Sequence, residues 1–232
     1  MSIWMLLLSL IAGWFVNLVA DSAPERRSLS ETWWWAIYQL PTRWQRWLRV
    51  NKASGACPPH RPWRYTLVWG MALLLGWLAE WRMGGGNWAG VLLAIQAWFL
   101  LAVAVIDIEH RRVLNRMLLL ALPVVLLLQL WTGLPGLLSA LGGGLAGFGF
   151  FLLLALIRPG GMGMGDVKLA GLLGLTLGLQ GFLTAVIICL VSGGVAAAAI
   201  LVRNRFRPGQ TLAYAPYLVL GAWVTLFFGA VR

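Results

Sequence analysis

Charge is scarce in this chain of 232 residues: 11% of them are charged and only 7 are acidic, while 60% are hydrophobic. With a mean hydropathy of +0.81, that balance excludes a water-soluble globular domain. Cysteine and histidine number 2 each. Cys57 lies in a basic stretch and Cys189 in an apolar run, which argues against a disulfide between them. Cys57 and His60 supply two ligands where a tetrahedral zinc shell needs four, so no metal site is expected. Alternation of apolar and polar residues is missing as well, which excludes an outer-membrane barrel. There is no long internal repeat and no glycine-rich nucleotide fingerprint behind a strand. Met1 and Ser2 put no positive charge ahead of the first apolar run, so that run reads as a retained span and not as a removed signal.

What is present in quantity is continuous apolar sequence. Runs from Ile3 to Ala20, Tyr65 to Ala79, Trp88 to Ile106, Val113 to Trp131, Leu137 to Ile157, Val167 to Leu179, Gly181 to Val202 and Leu212 to Val231 give an all-α polytopic membrane protein of about eight transmembrane helices. The sixth run is short and glycine-bounded, as a tilted or half-buried helix would be.

Lysine and arginine orient the bundle. With eight crossings and a periplasmic N-terminus, 16 of the 18 basic residues fall on the cytoplasmic side, leaving Arg82 and Arg232 outside. This is the bias that the positive-inside rule demands, and it is weakened if the sixth run does not cross. The net charge of +11 therefore reflects topology and contact with anionic lipid of the bilayer, and nucleic acid is not expected as a partner. The chain divides into a first helix (1–20), a basic, tryptophan-rich cytoplasmic loop (21–64) and a membrane-embedded core (65–232). In that loop, Trp44, Arg46, Trp47 and Arg49 read as an amphipathic stretch on the headgroups; a small subdomain packed on the tryptophans is the alternative.

The seven acids are the sharpest signal. Asp21, Glu25 and Glu31 lie in the large loop and Glu80 at the outer edge, whereas Asp107, Glu109 and Asp166 lie at the cytoplasmic edge. A carboxylate within reach of a bilayer costs a few kcal/mol even on lenient scales, so a functional site is its default reading. Asp166 sits on a glycine hinge, Gly163-Met164-Gly165. Two carboxylates at one depth in a wet notch can share a proton, which is the arrangement of an aspartic protease. Plainer readings stand beside this one. Asp166 could cap a helix starting at Val167, and Asp107 could neutralise Arg111 one turn on. Lys168 could anchor at the headgroups or touch substrate, and Asn17 could serve helix packing or substrate contact.

At these residues the sequence resembles the type IV prepilin peptidases, the GxGD membrane aspartic proteases of type IV pilus and type II secretion systems. Gly163-Met164-Gly165-Asp166-Val167-Lys168-Leu169 matches their Gly-x-Gly-Asp-x-Lys-Leu segment, Asp107 their first catalytic aspartate, and Asn115 the Asp/Asn position eight residues on. Gly13-Trp14-Phe15-Val16-Asn17-Leu18-Val19 resembles their N-terminal segment, Trp63-Arg64-Tyr65-Thr66-Leu67-Val68 the start of their second span, and Ala213-Tyr214-Ala215-Pro216-Tyr217-Leu218 the segment before their last helix.

The resemblance implies Asp107 and Asp166 as catalytic residues, Gly163 and Gly165 as motif glycines, and Lys168, Asn115 and Asn17 in support. It implies removal of the leader from prepilins or pseudopilins at the cytoplasmic face of the bacterial inner membrane, together with methylation of the new N-terminus from S-adenosylmethionine. The chain departs from the family in its loop, where only Cys57 stands in place of two Cys-x-x-Cys pairs, so zinc is not expected there and the methylating half is the less secure. Leu114 replaces the usual proline. The alternative is an inner-membrane carrier or a non-catalytic secretion component with a structural or proton-relay Asp pair; against it stand the absence of inverted repeats and the placement of both acids at one face.

Overall fold

The computed structural model describes residues 2–22, 62–85, 87–110, 115–133, 135–157, 163–203 and 214–229. All the regular structure among them is helical: α1 (Ile3–Ser22), α2 (Pro62–Met83), α3 (Trp88–His110), α4 (Asn115–Thr132), α5 (Leu137–Ile157), α6 (Met164–Arg203) and α7 (Ala215–Phe228). Four stretches are long and apolar enough to cross a membrane: Ile3–Ala20, Trp88–Glu109, Leu137–Ile157 and Met164–Ala199. Apolar side chains cover their outer faces, with Trp4, Leu138, Leu145 and Val195 all strongly exposed, as expected of a membrane protein whose solvent is lipid. The tryptophan-rich stretch, Cys57, His60 and Arg111 lie outside the described residues.

The helices pack in antiparallel pairs. Gly13 of α1 meets Trp69 and Ala72 of α2, and Gly76 meets Ser9. The backbone N–H of Ser2 donates to both carboxylate oxygens of Glu80 at 2.9 Å. Trp98 of α3 donates its indole N–H to the carbonyl of Ala72 at 2.9 Å, and Trp223 of α7 donates to Ala97 at 3.3 Å. Each indole thus pairs its one polar atom with a helix carbonyl inside an apolar medium, where a lone N–H would be costly.

The expected sixth and seventh spans, Val167 to Leu179 and Gly181 to Val202, are two helical arms joined directly at Gly178, whose φ is 69°, within the 40 residues of α6. An unbroken helix of that length would be about 60 Å long, twice the roughly 30 Å of a bilayer core. Ahead of the break, Gly174 lies on Gly143 and Ala170 on Gly147, antiparallel to α5. Beyond it, Phe182 returns to Gly147 and sets its ring edge-on to Phe151 at 6.5 Å. The chain therefore doubles back, and residues 179–203 run alongside α7, Gly221 touching Ala185 and Gly181 touching Thr225. Backbone groups around the break find partners in neighbouring helices: Gln129 donates to the carbonyl of Leu175, and the N–H of Leu179 donates to Ser139 Oγ at 3.2 Å. Such rescue is what lets a helix break inside lipid.

Between α5 and the first arm of α6, backbone meets backbone. A Cβ on Gly174 would fall on the carbonyl group of Gly143, whereas one on Gly149 would enter open space. Glycine to alanine inside a helix ordinarily gains about 1 kcal/mol. Gly174→Ala should instead destabilise by about 1–3 kcal/mol, because the helices must part, while Gly149→Ala should be neutral or stabilising. Unfolding in detergent micelles measures both.

Candidate functional site

One end of the bundle collects the polar residues. By the pairings above it holds the C-terminal ends of α1 and α3 and the N-terminal ends of α2, α6 and α7; Glu80, Arg82 and the Gly178 reversal mark the other end. Asp107 lies one turn before the end of α3 and is only 4% exposed. Asp166 lies in the first turn of α6 and is half-buried. The two carboxylates are close enough to act on each other electrostatically. The two acids that the sequence singled out thus come together from helices of different pairs.

The start of α6 corrects the expected capping. The helix begins at Met164, not at Val167, so Asp166 is its third residue and Gly165 lies within the first turn and not in a hinge. Gly163 stands just outside. The N–H of Asp166 donates to the carbonyl of Gly163 at 3.0 Å, and the Asp166 carboxylate accepts from the backbone of Gly163. This is half of a capping box, an acid at the third position reaching back to the cap residue's N–H. Position alone favours the negative charge there, since unpaired N–H groups and the helix dipole converge on the first turn.

The supporting residues are less uniform. Asn17 is fully buried, at the depth of the polar end as judged from Gly13 against Trp69, and its Nδ2 donates to the carbonyl of Gly13 at 3.0 Å. Lys168 is exposed half a turn beyond Asp166. Asn115 is the first residue of α4. Sequence reasoning missed a pair beside Asp107: Arg64 Nη1 donates to Glu109 Oε2 at 2.7 Å. The available signal was an acid in the last turn of an apolar helix. Among the described residues no group of three His, Cys, Asp or Glu could hold a metal ion.

The comparisons with known proteins converge on the same region. The sequence profile of the type IV leader peptidase family matches residues 94–198, a stretch containing both aspartates. The chain is 30% identical over 188 residues to a prepilin leader peptidase/N-methyltransferase of Stutzerimonas stutzeri, covering 79% of this chain and 65% of that protein. It is 32% identical over 130 residues to one of Bacillus subtilis, covering 56% and 52%, and 29% identical to one of Pseudomonas aeruginosa, covering 97% and 89%. The chain thus spans less than two thirds of the length of the first two. No solved structure matches it.

The capping geometry makes a prediction independent of any activity. Asp166→Ala should cost about 1 kcal/mol of stability and speed hydrogen exchange at the amides of residues 163–167. Unfolding in detergent and exchange measured by mass spectrometry check both, and unchanged exchange would contradict the cap.

Proposed function

We propose that this chain, whose residues 94–198 match the type IV leader peptidase family, is a membrane aspartic endopeptidase that removes the leader peptide of prepilins or pseudopilins. The observation that carries the reading is the placement of Asp107 and Asp166 within electrostatic reach of each other at the polar end of the bundle. One carboxylate, ionised, takes a proton from water as the water attacks the peptide carbonyl. Its protonated partner donates a hydrogen bond to that carbonyl oxygen and then passes its proton to the leaving amine. The scheme needs neither a metal nor a nucleophilic side chain. Gly163 and Gly165 are the motif glycines before Asp166, Lys168 is exposed two residues beyond it for substrate or headgroup contact, and Asn17 and Asn115 are the further supporting or substrate-contact residues.

The names of the relatives favour a second activity, methylation of the new N-terminus. S-adenosylmethionine would supply the methyl group. Residues 23–61, which would contribute to a pocket for it, lie outside the described residues, and proteolysis by the aspartates runs without it. Zinc is not part of the proposal.

The polar end is placed on the cytoplasmic face of the bacterial inner membrane. Arg64, Arg116, Lys168 and Arg203 stand at helix ends on that side, against Arg82 at the other, and this asymmetry favours the cytoplasm by the positive-inside rule. With α6 doubling back, seven helices make eight crossings and the N-terminus is periplasmic.

Two experiments test this. Asp107→Asn and Asp166→Asn should each abolish processing of a co-expressed prepilin while the protein still inserts, read from the mass of the product's N-terminus, which reports methylation as well. Normal processing by either variant would remove that residue from the mechanism. In a cysteine-free background, a cysteine at Gln180 should react with an impermeant maleimide from the periplasm and one at Gly163 should not. The reverse pattern would overturn the topology.

A further inference from the structure

Arg64 and Glu109 each occupy the helix end that disfavours their charge. Arg64 is the third residue of α2, where the helix dipole opposes a cation, and Glu109 is the last residue but one of α3, where it opposes an anion. The two nevertheless meet at 2.7 Å, with side chains only 12% and 17% exposed. The guanidinium also lies 4.5 Å from the centre of the Tyr65 ring, a contact that fixes its plane. Both charges carry a cost that their pairing helps to offset, and a shielded pair of this kind specifies geometry better than it stabilises. What it ties down is the last turn of α3, a place where helices fray because the final carbonyls lack partners. Asp107 stands in that turn, two residues before Glu109.

We propose that Arg64 and Glu109 form a positioning pair that locks the last turn of α3 and so holds the Asp107 carboxylate in register with Asp166. Neither residue touches the reacting atoms; the pair acts through Asp107. The proposal rests on the peptidase reading for its catalytic consequence and on the helix geometry alone for its structural one.

The test uses the full-length protein in detergent with a prepilin substrate, and compares Arg64→Met, Glu109→Gln and the exchange Arg64→Glu with Glu109→Arg. The exchange rebuilds the pair and moves each charge to the helix end that favours it. Arg64→Met and Glu109→Gln should lower kcat by roughly tenfold with KM little changed, since misplacing a catalytic group costs rate more than binding. The exchanged protein should recover most of that loss. Without substrate, amide exchange across residues 104–110 should quicken in both single variants and return to the parent rate in the exchanged protein. A rise in KM that the exchange fails to repair would make Arg64 a substrate contact and overturn the proposal, as would unchanged amide exchange in the single variants. If the parent protein leaves prepilin uncut while amide exchange follows the expected pattern, the peptidase reading falls and the locking of α3 stands.

Discussion

The fold depends on one contact without side chains, the passage of α6 across α5 at Gly143, Gly147 and Gly174. In lipid the hydrophobic effect does not hold helices together, so close van der Waals packing must do so, and backbone-to-backbone approach gives the closest packing available. This contact fixes the first arm of α6 along its length. That arm carries Asp166 at one end and the Gly178 reversal at the other, so the same glycines that join two helices also set where the carboxylate stands. The second arm and α7 repeat the device at Gly221 and Ala185, passing the placement on to α3 through Trp223 and Ala97.

Much of this was legible in the sequence, because lipid imposes few and strict rules. Apolar run length gave the helices to within a few residues at α1, α3 and α5, where runs and helices nearly coincide. Asp107 and Asp166, which stand within electrostatic reach of each other, were singled out because charges are so few that any two on one side stand out. The start of α6 was misjudged by three residues, since Gly-Met-Gly reads as a hinge in isolation while the helix already begins at its methionine. Spans six and seven read as two separate helices, and two helices they are, meeting at Gly178 with no loop between them. No local pattern announces that the orphaned backbone groups there will be met by Gln129 and Ser139, two residues that look incidental in their own helices. Arg64 and Glu109 are 45 positions apart, and nothing in either neighbourhood names the other.

The two ends of the bundle are built to different purposes. At the end with Glu80, short connections and side-chain-to-backbone hydrogen bonds close the structure: Glu80 accepts from the N–H of Ser2 and Arg82 donates to the carbonyl of Gly229 at 2.8 Å. At the other end stand charges that a helix would rather not carry, Arg64 and Glu109, together with a carboxylate that is almost fully enclosed. These unfavourable placements gather at one end and are supported from the side by well-packed helices.

The first arm of α6 runs over residues 164–177, about 21 Å of helix, which falls short of a bilayer core of about 30 Å. Its far end is anchored at the Gly178 reversal, so the arm works as a ruler measured from the opposite end of the bundle. It sets how far along the bundle axis Asp166 stands from that reversal. One residue more or less in that arm would shift the carboxylate by about 1.5 Å along the axis and swing it by about 100° around it. Arm length is therefore under tighter constraint than the identity of most residues that compose it.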